Sequence, residues 1–190
     1  MILNRRFLTA LLLMQPLWFG ATAAAQNLLG NPTSGRFGIK VGVVSRMKLS
    51  TTPSLNSEIG SCAQVYIDLP KGRQVFLSPA FDFYYIEINR ANQIMIEASL
   101  GVKRVFPLRR ARMLLVPGVS TGFAFLAEVG DLHDSRFLSL KIFVETHFAI
   151  DARKAWVGEL AWFHAPTGSN SAESLSFGPG LMLRWGVAFR

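Results

Sequence analysis

The sequence predicts an all-β chain, an eight-stranded antiparallel up-and-down barrel that crosses a membrane. Three observations predict it. Apolar and polar residues alternate with period two along most of the chain after residue 35, as side chains of half-buried strands do. Half of the 190 residues are hydrophobic and mean hydropathy is +0.29, yet no 18-residue apolar run follows the N-terminal stretch, so ordinary spanning helices are excluded. The final segment alternates cleanly. Leu181, Leu183, Trp185, Val187 and Phe189 lie on one face, and Gly180, Met182, Arg184, Gly186, Ala188 and Arg190 on the other.

The first residues are set aside before any fold is read. Asn4-Arg5-Arg6 is a short positive segment, Phe7 to Phe19 is apolar, and Ala21-Thr22-Ala23-Ala24-Ala25 offers small residues for a signal peptidase. Residues 1–25 are expected to be a cleaved signal, with Gln26 the first mature residue. A transmembrane anchor is the alternative, but the run is short for a span and Pro16 interrupts it. Residues 26–35 read as a flexible lead-in and 36–190 as one barrel domain. Removing Arg5 and Arg6 takes the formal net charge from +8 to +6. That excess is not clustered along the chain, apart from Arg109, Arg110 and Arg112 beside Pro107, so no nucleic-acid stripe is expected. Cys62 is the only cysteine, which excludes an intramolecular disulfide.

Strands are expected at 36–47, 62–69, 74–87, 93–106, 111–127, 136–150, 154–164 and 175–190, divided by Gly, Pro, Asn and Asp clusters. Connections at 69–73, 107–110 and 151–154 are short. Those at 46–61, 129–135 and 165–173 are longer and polar, and the link near Asn89 to Asn92 is short. Short turns at one end and longer loops at the other fit a membrane barrel, with the turns and both termini on the periplasmic side. Pro79 and Pro117 fall inside strands and remove ladder hydrogen bonds, so a bulge or a strand limit is expected at each.

Alternation alone does not say which face points outward, since a soluble lipocalin-like barrel has the opposite sense. The polar face is rich in Gly, Ala and Ser, which suits the crowded interior of eight strands. Trp156, Trp162, Trp185, Phe83, Tyr85 and Phe189 lie towards strand ends on the apolar face, where interfacial aromatics belong. The polar face also carries both signs: Lys40, Lys103, Arg112, Lys141 and Arg184 against Asp68, Asp82, Glu97, Glu145 and Glu159. Opposite charges on facing strands pair in a narrow lumen, whereas unpaired ones there are penalised heavily.

The segments Phe37 to Gly42, Gln64 to Pro70 and Phe76 to Phe81, with the alternating terminus Leu181 to Phe189, resemble the small outer-membrane β-barrel superfamily. The resemblance implies an outer-membrane location reached by export and a lipid-embedded fold. It also implies biogenesis partnered by periplasmic chaperones and the barrel-assembly machinery. Leu181, Leu183, Trp185, Val187 and Phe189 then correspond to the C-terminal assembly signal, although Arg190 follows where the family usually ends on the aromatic. No single activity is implied.

Candidate chemistry is sparse, and no enzyme activity, cofactor or metal is expected. His164, Ser169, Ser171 and Glu173 resemble the His, Ser and Glu set of outer-membrane lipid A deacylases, in which His and Ser lie two residues apart on one strand. Pro166 stands at that position here, and a serine nucleophile needs a base within hydrogen-bond reach. Asp131, His133 and Asp134 share one segment without a second histidine nearby and read as a solvated loop rather than a metal site. His147 lies beside Glu145 in register, as a satisfied interior histidine or a proton-sensitive gate. The lumen set of Lys40, Asp68, Asp82, Glu97, Lys103, Lys141, Glu145, His147, Glu159 and Arg184 has two readings: a structural ion-pair plug or a narrow path for small solutes. Eight strands enclose too little space for an open aqueous pore, which favours the plug. The expected role is structural or interactive, through loops displayed outside to a partner the sequence does not name; the alternative is a narrow channel or a lateral route for small solutes.

Overall fold

The structure is a computed structural model and describes residues 35–50, 54–72, 74–88, 90–108, 113–127, 135–151, 153–169 and 174–190. The expected signal and residues 26–34 of the lead-in lie outside these, as do Asp131, His133, Asp134, Ser171 and Glu173. The described residues form eleven strands: β1 (Arg36–Val44), β2 (Lys48–Leu49), β3 (Leu55–Asn56), β4 (Gly60–Pro70), β5 (Val75–Ile88), β6 (Ala91–Arg104), β7 (Phe106–Leu108), β8 (Met113–Ala127), β9 (Ser135–Ala149), β10 (Lys154–Ser169) and β11 (Ser174–Phe189). Eight of them, β1, β4, β5, β6, β8, β9, β10 and β11, pair in chain order, and β11 pairs antiparallel with β1 to close the barrel. Closure leaves no open edge, which a spanning sheet requires because lipid offers no hydrogen-bond partners.

One end of the barrel carries the connections after β4, β6 and β9 together with the start of β1 and the end of β11; this is the turn end. The other, the loop end, carries the connections after β1, β5, β8 and β10. Within the expected loop at 46–61 the described residues form two short strands there. The β2–β3 hairpin pairs with β11 at Leu49 and Phe177 and lays Met47 and Leu49, both buried, over the barrel mouth. The expected loop at 165–173 is also shorter than its Pro and Gly content implied, since β10 continues to Ser169. It does so through register shifts between Phe163 and Gly168 against β11 and between His164 and Thr167 against β9. Pro166 is therefore accommodated by irregular pairing rather than by ending the strand.

Pro79 and Pro117 act differently. The β4–β5 ladder loses the pairs between Tyr66↔Ala80 and Leu69↔Leu77 and resumes in the same register. Likewise the register of Lys103↔Gly118 is resumed by Phe106↔Leu115, so Pro117 separates β6 from β7 without a bulge. Each proline keeps full pairing on its other side, with Leu100 and Val144 respectively. The missing N–H thus interrupts one ladder only.

The outer surface is an apolar belt. Phe81, Phe123, Leu160 and Leu181 are each more than half exposed, and Phe83, Tyr85, Trp156, Trp185 and Phe189 also face outward. Charged side chains are buried inside. This is the inverse of a soluble barrel, and it makes the wall a membrane-facing surface. Placing an arginine in mid-belt should therefore destabilise. Leu160→Arg is expected to lower stability in lipid vesicles by about 2–4 kcal/mol, read as a shift in the urea midpoint of the heat-modifiable band. A soluble barrel would tolerate the same change at an exposed position.

Candidate functional site: the filled lumen

Strand alternation turns every second residue inward. On β1 this aims Arg36 and Lys40 inward, on β4 Gln64 and Asp68, on β5 Asp82, and on β6 Glu97 and Lys103. Lys141, Glu145 and His147 follow on β9, Glu159 on β10 and Arg184 on β11. The ten residues of the expected lumen set are all buried there, while Arg112, expected on the same face, lies outside the described residues. Among the described residues five cations face five carboxylates there.

Their contacts form one chain of alternating sign. Lys103 Nζ lies 3.0 Å from Asp68 Oδ1 and 3.0 Å from Glu145 Oε1. Glu145 Oε1 also accepts from Lys40 Nζ at 2.6 Å. Lys40 then donates to Glu159, which receives Arg184, and Arg184 donates on to Asp82. Lys141 Nζ bridges Asp82 Oδ2 at 2.6 Å and Glu97 Oε2 at 3.0 Å. The path runs Asp68–Lys103–Glu145–Lys40–Glu159–Arg184–Asp82–Lys141–Glu97 and draws on every barrel strand except β8.

Neutral donors complete the carboxylates. Gln64 Nε2 donates to Asp82 at 2.9 and 3.1 Å, and Tyr84 Oη and Ser139 Oγ donate to Glu97 at 2.7 and 2.5 Å. His147 Nε2 lies 2.8 Å from Glu145 Oε2. The Tyr66 ring lies between Lys40 and Lys103, whose ammonium groups stand 4.5 and 4.0 Å from its centroid. A buried charge is tolerated when it is both paired and hydrogen-bonded, and most of these are; at the Asp68 end Lys103 Nζ and Asp68 Oδ1 are paired by distance at 3.0 Å without hydrogen-bond geometry.

Arg36, opposite Asp68 in register, is a lumen cation that the sequence reading missed because it opens the first strand. A second element is also larger than expected. Towards the loop end the lumen is apolar, filled by Met95, Phe137, Phe143, Phe163, Phe177 and Met182. Phe137 and Phe177 meet at 6.0 Å, and Tyr84 and Phe163 at 5.7 Å. The inward register of β9 and β10 carried this signal at Phe137, Phe143 and Phe163. At the turn end Phe76, Val105, Leu114 and Val116 pack together. The void left among Lys40, Ser99, Lys103, Lys141 and Glu145 is about 10 Å³, room for roughly one water.

His164 faces away from this network. Its ring packs on Trp162 at 5.6 Å, and its Nδ1 has no hydrogen-bond partner. Ser169 ends the strand, and its side chain, like Ser171 and Glu173, lies outside what the structure describes. No group of three or more potential metal ligands occurs among the described residues.

No protein-family model and no curated protein matches the sequence. Solved structures do match. The chain is similar to Neisserial surface protein A, with a TM-score of 0.58 at 12% identity over 82% of this chain and 99% of that one. It is similar also to the outer membrane protein OprG from Pseudomonas aeruginosa, with a TM-score of 0.60 at 6% identity over 84% of this chain and 97% of that one. At such identities the likeness concerns architecture. In fold, this chain is a small, closed, eight-stranded antiparallel β-barrel with an apolar, membrane-facing outer wall.

Proposed function

We propose that the chain is an integral outer-membrane protein whose barrel is closed to solutes, with a structural or interaction role carried at its rims. The observation that carries this reading is the filled lumen. A continuous ion-pair chain and an aromatic layer fill it, and the void among the charges has room for about one water. The loop end would present the β2–β3 hairpin, with Ile59 exposed and Arg46 paired to Glu58 at 2.6 Å. The outward residues Leu181, Leu183, Trp185, Val187 and Phe189 would be read by the assembly machinery during insertion. Export through a cleaved signal belongs to the same proposal.

Two measurements test it. The purified full chain should migrate faster unboiled than boiled, and it should fractionate with outer membranes. In planar bilayers it should show no conductance above leak. Periplasmic recovery without a gel shift would remove the membrane reading, and stepwise conductance altered by Lys141→Gln or Glu145→Gln would replace the plug with a channel. Expression should leave lipid A acylation unchanged, the His164 ring being packed on Trp162.

A further inference from the structure

The basic excess that looks dispersed along the sequence is gathered by the fold. Lumen charges cancel among the described residues, so the surplus lies at the rims. At the turn end Lys71, Arg104, Arg153, Lys154 and Arg190 are all exposed. They form two groups. Arg190 N–H donates to Arg153 C=O at 2.9 Å, and Lys154 is the register partner of Phe189, so three cations share one edge beside Trp156 and Phe189. Lys71 N–H donates to Val75 C=O at 2.9 Å, and Val75 is the partner of Arg104, whose guanidinium lies 5.0 Å over the exposed Phe106 ring.

Asp151 is the one acidic side chain described at this end, and it is engaged by its own turn. Its Oδ1 accepts the N–H groups of Arg153 and Lys154 at 2.7 and 2.8 Å. The loop end differs. Arg46 is paired with Glu58 there, and Glu58 N–H donates to Glu87 C=O at 2.8 Å; Lys48, Arg90 and Arg136 are exposed at this end too, but the connections set Glu128, Asp131, Asp134 and Glu173 against them by sequence.

From this placement we propose that the turn-end rim is a collar for anionic phospholipid headgroups of the leaflet it meets. The inference rests on the membrane-barrel reading. Direction selects the ligand. Arg104 continues the outward series Leu100, Val102, and Lys154 begins the outward series that leads to Trp156 and Leu160. Both therefore project sideways at the border of the apolar belt, next to aromatic rings, where lipid phosphates lie. A soluble acidic polymer would instead be met by Lys71 and Arg153, which sit in the turns.

The test refolds the full chain into phosphatidylcholine vesicles doped with spin-labelled phosphatidylglycerol or spin-labelled phosphatidylcholine. The protein-associated fraction of each label is then compared. Phosphatidylglycerol should be preferred about fivefold at low salt, and the preference should fall at high salt. The pair Arg104→Gln with Lys154→Gln should bring it close to unity with the heat shift intact, whereas Lys71→Gln with Arg153→Gln should leave most of it. No preference in the wild type, or a preference that only the turn pair removes, would overturn the collar. Loss of the heat shift in the wild type would instead overturn the barrel reading beneath it.

Discussion

Arg184→Met is expected to lower the stability of the folded barrel by about 3–5 kcal/mol, the scale for removing one partner from a buried charge network. Arg184 joins the two halves of the ion-pair chain, donating to Glu159 on one side and Asp82 on the other. Its side chain is 1% exposed, so no solvent reaches the two carboxylates it would leave behind. Lys40 still holds Glu159 and Lys141 still holds Asp82, so the chain splits rather than vanishes. Arg184→Lys should fall between, because a single ammonium cannot span both acids as the planar fork does. The double change Arg184→Met, Asp82→Asn should recover part of the loss, since it restores equal numbers of buried cations and carboxylates while Lys141 keeps Glu97 and Lys40 keeps Glu145 and Glu159. The urea midpoint of the heat-modifiable band in vesicles measures all three. A methionine variant within about 1 kcal/mol of wild type would mean that the chain of contacts contributes little to holding the strands together.

The network has a second physical consequence, for register. A one-residue slip turns every side chain of a strand to the other face. For β9 that would carry Lys141, Glu145 and His147 into lipid and bring Leu140, Ile142 and Val144 into the lumen. Each lysine so placed near mid-bilayer would be penalised by about 2–4 kcal/mol. The charged lumen therefore specifies pairing as well as filling space, which an apolar filling could not do in a lipid solvent.

Much of this was legible because period two is a local property. The outward Leu181, Leu183 and Trp185 and the inward Arg184 differ in kind at adjacent positions, and no knowledge of neighbours is needed to sort them. What was not legible depends on closure. Lys40 meets Glu145 and Glu159, which are 105 and 119 residues away, only because β1 joins β11 and the barrel is narrow. The hairpin of β2 and β3 was hidden because Met47 and Leu49 are single apolar residues among Ser, Thr and Asn, and they gain a burial site only once the barrel mouth exists. The extension of β10 past Pro166 was misread for a related reason. Proline and glycine signal a break in isolation, yet partners on both sides hold the strand through the irregularity. The dispersed arginines and lysines of the turns became one rim by the same route.

Gly186→Val should prevent the barrel from closing at all. The seam between first and last strand runs in register from Phe37↔Phe189 to Val44↔Met182, and Gly186 stands opposite Lys40 within it. A Cβ at this position would lie 1.9 Å from the Ile39 carbonyl oxygen and 2.7 Å from the Lys40 Cα. Both are backbone atoms, so no rotamer change makes room, and the strands would have to separate. Gly42, opposite Arg184, is bound by the same constraint, with the Leu183 carbonyl oxygen at 2.0 Å. The two glycines let neighbouring backbones approach closely, and the long side chains of Lys40 and Arg184 occupy the lumen alongside. Loss of more than about 4 kcal/mol is expected, seen as absence of the fast-migrating unboiled band. Gly158→Ala is the matched control. Its nearest neighbour would be the Thr146 hydroxyl at 3.2 Å, a side-chain atom that can yield, and alanine gains about 0.5–1 kcal/mol over glycine in a strand. If Gly186→Val folded as fully as that control, the seam would be looser than its geometry states. The lumen network, which draws Lys40 and Arg184 together across it, would then have to tolerate a shifted β1.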